Sequence, residues 1–98
     1  MTLERALAVL RENREALNAR HVLRAAVFGS VARGDQRPDS DVDVLVELDP
    51  DATITIYDYV GIKHALQEML GAPADVVNRE TLHWCIRDDV EGEAVHAF

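Results

Sequence analysis

Two aspartates one residue apart, Asp41 and Asp43, open an otherwise apolar run, "SDVDVLVEL" at residues 40–48. In an extended strand side chains repeat every two residues, so both carboxylates project from one face, with Cα atoms roughly 6.5–7 Å apart. Like charges on one face repel and are costly to desolvate. A divalent cation held between them removes that cost. Mg2+ suits the arrangement, because it takes few protein carboxylates and fills its remaining positions with water and phosphate oxygens. Val42, Val44, Val46 and Leu48 point the other way, as a core-facing row. Taken alone, an Asp-x-Asp pair reads better as the wet face of an edge strand.

A second feature precedes it. The apolar run "HVLRAAVFG" ends in Gly29-Ser30. A glycine at the end of a strand lets the backbone approach a ligand closely. The N–H groups that follow, with the Ser30 hydroxyl, can hold a phosphate if a short helix starts there. By itself Gly-Ser reads as a strand-ending turn with serine as a cap. Arg33 and Arg37 lie between the two features, where they can meet phosphate oxygens or simply be solvated. Ser40, just before the acids, either contacts phosphate or orients Asp41.

Positioning these residues requires a frame, and the sequence outlines one. Leu3, Leu7, Leu10 and Leu17 fall on one helical face, predicting a helix over 3–19 that ends near Asn18 and Arg20-His21. Two strands follow, "HVLRAAVFG" and "SDVDVLVEL", joined by a Gly-, Asp- and Pro-containing segment with a short helical turn around Ala32-Arg33. After the turn "DPDAT" a helix is expected over 54–70. Its expected buried set is Val60, Ile62, Ala65, Leu66, Met69 and Leu70, with Gly71 as C-cap and Pro73 just beyond. "ADVVN" reads as a third strand, 79–90 as a last helix, and "EAVHAF" as a short edge strand or docked tail. The order α-β-β-α-β-α defines an α/β (α+β) domain, a small mixed β-sheet flanked by helices, with residues 1–98 as one domain.

Composition sets further bounds. The formal charge is −8. It is uneven: residues 1–38 carry seven arginines against four acids, and residues 39–98 carry three basic residues against fourteen acids. Such a chain is a poor general ligand for nucleic acid, whose binding depends on phosphate neutralisation. It is better suited to a cation or a basic protein partner. No apolar run approaches a membrane span, and the N-terminus lacks the layout of a signal peptide. The one cysteine, Cys85, excludes an intrachain disulfide, so a cytoplasmic location is expected. The four histidines show no metal-ligand spacing. Trp84 and Cys85 suit a core or interface. Tyr57 and Tyr59 suit helix packing better than stacking on a base.

The combination is more specific than its parts. Gly29-Ser30, ten residues, then Asp41-x-Asp43 resembles the signature of the nucleotidyltransferase superfamily related to DNA polymerase beta. The stretch "FGSVARGDQRPDSDVDVLV" is similar to its smallest branch, the minimal nucleotidyltransferases (MNT), and the resemblance extends over nearly the whole chain. It implies a nucleotidyltransferase fold with Gly29, Ser30, Arg33 and Ser40 at the nucleotide's phosphates. It also implies a third acid, Asp75 in "LQEMLGAPADVV", which joins Asp41 and Asp43 as metal ligand and acts as general base. On its own, Asp75 reads as a turn-capping residue at the start of a strand. The implied chemistry is transfer of AMP from ATP with Mg2+. The implied partner is a HEPN-domain RNase toxin modified on a tyrosine, with this chain as its antitoxin. Two other roles fit the same residues: an antitoxin that occludes the toxin without chemistry, and a small-molecule nucleotidyltransferase completed by dimerisation.

Overall fold

The computed structural model describes residues 1–35, 37, 41–81, 90 and 92–98. Four helices and four strands are defined there: α1 (Leu3–Glu12), α2 (Arg14–Ala19), β1 (Val22–Phe28), α3 (Gly29–Arg33), β2 (Val42–Leu48), α4 (Ile56–Leu70), β3 (Ala74–Asn78) and β4 (Val95–His96). The strands form one mixed sheet in the order β3-β2-β1-β4. β1 pairs antiparallel with β2 and β4, and β2 pairs parallel with β3. The parallel pair needs a crossover, which α4 provides. The mixed sheet with flanking helices expected from the sequence is therefore present.

The core lies on one face of the sheet. Val22, Ala25 and Val27 of β1 and Val42, Val44, Val46 and Leu48 of β2 meet Ala6, Leu7 and Leu10 of α1, Leu17 of α2, and Ile62, Leu66 and Leu70 of α4. The even-numbered row of β2 thus points inward, as its alternation predicts.

The expected helix over 3–19 is broken in two. Asn13 leaves helical geometry, and its side-chain amide donates to the Val9 carbonyl at 2.8 Å. Asparagine competes for backbone partners in this way, and a new helix starts at Arg14. α2 ends before His21, which sits at φ 73°, a left-handed conformation uncommon for a residue with a Cβ. The chain then enters β1, where a bulge at Leu23 shifts the register with β2.

α4 starts at Ile56 because Thr55 caps it. The Thr55 hydroxyl accepts from the Asp58 N–H at 3.2 Å, and the Asp58 carboxylate accepts from the Thr55 N–H at 3.0 Å. The Thr55 N–H and hydroxyl, both donating to the Asp58 carboxylate, hold that carboxyl below the usual carboxylate range. Gly71 ends the helix at φ 66°, as expected. The expected buried set needs one correction. Val60 is 45% exposed, because it lies about 200° around the helix from Ile62, on the side away from the core. Tyr57, expected to pack, is 85% exposed, whereas Tyr59 turns inward and donates to the Val76 carbonyl at 2.8 Å.

"ADVVN" forms β3 as expected. Of the helix expected over 79–90, Arg79–Thr81 forms a single 3-10 turn; residues 82–89, with Trp84 and Cys85, lie outside the described residues. The tail forms β4 on the free edge of β1 and is pinned beyond it. Arg11 donates to the carbonyls of Ala97 and His96, and Arg14 lies over the Phe98 ring. Among the described residues no helix is long and apolar enough to cross a membrane.

Candidate functional site

On the sheet face opposite the core, the strand register collects the acids. Asp43 pairs across β2–β3 with Asp75, and across β1–β2 with Phe28, the residue before Gly29. Asp41 immediately precedes β2 and is exposed. Partial burial pushes the Asp43 carboxyl above the usual range, and the charges of Asp75 and Asp41 push it further. Thus Asp43 lies within the fields of both other predicted acids.

α3 begins at Gly29 itself, not near Ala32, so Gly29-Ser30 forms the first turn of a five-residue helix directly after β1. Gly29 is at φ 73°, and a Cβ built on it would overlap the Asp43 carboxylate. Glycine at this position therefore has two physical reasons: the left-handed backbone and the space that Asp43 occupies. The Gly29 N–H donates to the Glu93 carboxylate at 2.7 Å. Arg33, at the other end of α3, pairs with the same oxygen at 2.9 Å and with Asp35 at 3.3 Å. Ser40 lies outside the described residues.

Sequence reasoning missed Glu93 and Lys63. Glu93 belongs to the tail and reaches Gly29 across 64 positions, so no local pattern marks it. Lys63, on α4, brings its ammonium to 4.0 Å from the Asp75 carboxylate. Both side chains are about half exposed, so this contact contributes little to stability. It does place a positive charge beside the acids, and a lysine one helical crossover away carries no signal in the sequence.

Hard oxygen donors on one open face fit a Mg2+-type ion that draws its other ligands from water and phosphate. Partial burial, then the neighbouring Asp75 and Asp41, make charge on Asp43 costly, and such an ion would offset that cost. Among the described residues no three acidic, histidine or cysteine side chains close on one point as a complete cage. Among the described residues the arrangement is thus an open platform. A hollow of about 320 Å3 on the same face lies toward the other end of β2, between Arg24, Leu45, Glu47, Arg79 and His96.

Comparison with known proteins agrees with this geometry. The chain is 31% identical over 97 residues to the protein adenylyltransferase MntA of Thermococcus cleftensis, covering 98% of this chain and 96% of the relative. It superposes on a solved candidate minimal nucleotidyltransferase with a TM-score of 0.77 at 42% identity, covering 97% and 95% of the two chains. It also shares the fold of a toxin–antitoxin structure with AMP-PNP, with a TM-score of 0.70 at 18% identity, covering all of this chain and 73% of the other. A family model described as the nucleotidyltransferase domain matches residues 9–96, a span that runs from α1 to β4 and takes in Gly29-Ser30 and all three acids. With that match over the sheet and its candidate site, the chain belongs to the nucleotidyltransferase-domain family.

Proposed function

We propose that this nucleotidyltransferase transfers AMP from ATP, with Mg2+, to a tyrosine hydroxyl of a HEPN-type RNase toxin in the cytoplasm, and thereby acts as its antitoxin. The observation that carries the reading is the register that sets Asp75 beside Asp43 and packs Asp43 against Gly29. The name of the Thermococcus relative supports a protein acceptor, and the toxin–antitoxin structure with AMP-PNP supports the partner and the nucleotide.

In this reading Asp41 and Asp43 would hold Mg2+ with Asp75, and when bound the ion would neutralise phosphate charge and lower the pKa of the attacking hydroxyl. Ser30 meets the triphosphate through its amide and hydroxyl, while Gly29 leaves room for the Asp43 carboxylate. Ser40, the residue before Asp41 in the sequence, is proposed to contribute its hydroxyl at the phosphates. Asp75 accepts the proton of the incoming hydroxyl, whose oxygen bonds to the α-phosphorus as the bond to the bridging oxygen breaks and pyrophosphate departs. Arg33, held by Glu93 and Asp35, presents a half-exposed guanidinium that in this reading meets phosphate oxygens. The acceptor docks from outside in this reading, because among the described residues the acids lie on an open face.

Intact-mass spectrometry of the toxin, after incubation with this protein, ATP and Mg2+, tests the reading. The expected outcome is a mass increase matching AMP that is lost with EDTA. Toxin silenced with no mass change would instead identify an antitoxin acting by occlusion. Modification of an added aminoglycoside-type small molecule, with the toxin left untouched, would assign the small-molecule role.

A further inference from the structure

The C-terminal segment reaches the candidate site through one side chain. β4 pairs with β1 antiparallel, with Val95 opposite Val27 and His96 opposite Ala26. Continuing that register brings residue 93 opposite residue 29. At that point β1 has already turned into α3, and a side chain replaces the backbone ladder: the Glu93 carboxylate accepts from the Gly29 N–H at 2.7 Å. The same oxygen accepts from the Arg33 guanidinium at 2.9 Å. One carboxylate oxygen therefore ties together the first and last residues of the single-turn α3. The first N–H groups of any helix lack intrahelical partners, and Phe28 at the N-cap offers no side chain to satisfy them. The partner comes from the tail.

We propose that Glu93 is a positioning residue for the nucleotide site: by holding the Gly29 amide and the Arg33 guanidinium it fixes the turn against which Asp43 packs. The inference rests on the nucleotide-binding reading above. Three features make the contact a built one. The Gly29 turn is left-handed and lies directly against the Asp43 carboxylate, and a glycine has no side chain of its own to hold it there. The Glu93 carboxylate adds some repulsion at Asp43, and its partner Arg33 offsets it there. The backbone that presents Glu93 is itself fixed by the β4 pairing, by the Ala97 N–H donating to the Ala25 carbonyl at 2.9 Å, and by Arg11 and Arg14. A line of contacts thus runs from the N-terminal helices, through the tail, to the turn that carries Ser30.

Two measurements on the full chain test this. The first needs no ligand: amide hydrogen exchange at Gly29, followed by NMR. Glu93→Ala removes a charge-assisted acceptor and is expected to speed Gly29 exchange about tenfold, while the Val44 and Val46 amides of the central strand keep their protection. The second is the Kd for MgATP, expected to rise about tenfold in the same variant. Glu93→Gln keeps the shape and an acceptor oxygen but loses the charge that holds Arg33. It is expected to move both readouts in the same direction by about threefold, and it decides the matter if Glu93→Ala loses its core protection. Unchanged Gly29 exchange in both variants overturns the proposal. So does faster exchange with an unchanged Kd, which makes Glu93 a structural latch only, and so does tighter MgATP binding, which makes Glu93 a competitor of phosphate. Wild-type protein that binds no MgATP sinks the nucleotide reading separately, and the exchange measurement still decides whether Glu93 holds the turn.

Discussion

Along β2 the two side-chain rows differ in what surrounds them. Val42, Val44 and Val46 are sealed between sheet and helices, while Asp43 and Glu47 look out of the opposite face with Leu45 between them. The inward row is chemically uniform and replaceable in kind; its task is to remove apolar area from water. The outward row is mixed, and its two acids live in different fields. Glu47 sits between Arg24 at 3.3 Å and Arg79 at 3.7 Å. Asp43 has two acids as its main electrostatic neighbours and only a weaker opposing influence from Arg33. One strand therefore carries stability on one side and a deliberately unfavourable charge on the other. Natural proteins hold strain of this kind at sites where a ligand relieves it.

Substitutions can break this contrast, beginning with the largest effect. Asp75→Asn removes the proposed proton acceptor while leaving the inward row intact. AMP transfer to the toxin is expected to fall by roughly 100- to 10,000-fold with little change in melting temperature, measured by intact mass against time. A comparable loss of stability would mean that Asp75 belongs to the frame.

Val44→Ala should do the reverse. It empties a fully buried position and is expected to cost about 2–3 kcal/mol in denaturant unfolding. Folded protein at low denaturant should still bind MgATP with nearly unchanged affinity, which direct titration checks.

Asp43→Asn sharpens the contrast through its sign. Because its carboxyl is raised, the folded chain binds this proton more readily than the unfolded chain does. Stability from this group therefore falls as pH rises from the ordinary carboxylate range through the raised value, and the penalty is complete above it. Metal-free Asp43→Asn is expected to melt higher than wild type at neutral pH, by less than Val44→Ala lowers it. The gain should vanish on acidification below the ordinary carboxylate range. Adding MgATP should reverse the order, since only wild type gains the linkage stabilisation. Thermal melts at two pH values, with and without MgATP, measure all four cases.

Glu47→Gln is the smallest effect and has the opposite sign. Losing a largely exposed pair of arginine contacts is expected to cost under about 1 kcal/mol, less still at high salt. A stabilising Glu47→Gln would show that the outward row is uniformly strained and that Asp43 is not special.

The same contrast explains what could be read from the sequence. The valine row and the Asp41/Asp43 pair are both set by a period of two, which a single stretch of chain displays. Gly71 and "ADVVN" were legible through turn chemistry and apolar clustering. Asp75 took on a role only through resemblance, because an aspartate opening a strand has many ordinary uses. Asn13 was hidden within a regular leucine spacing, where a polar residue looks like part of the wet face until its side chain takes the Val9 carbonyl. Val60 was misplaced because an apolar residue two positions before Ile62 counts toward hydrophobicity but falls on the far side of the helix. Glu93 and Lys63 owe their positions to strand pairing and to the crossover, and pairwise geometry of that kind is absent from any local window.

The parallel pairing of β2 with β3 also bears on how the chain reaches its native state. Asp43 and Asp75 stand 32 positions apart and become neighbours only when the whole of α4 has closed over the sheet. The antiparallel β1–β2 pair closes a shorter loop and meets a smaller entropic barrier. Pairing over long sequence separations is slow, and it follows local structure. Asp75 is therefore expected to join Asp41 and Asp43 late in folding. Early species meet less mutual repulsion among carboxylates, and the electrostatic cost falls on the finished protein, in which the valine row is already closed.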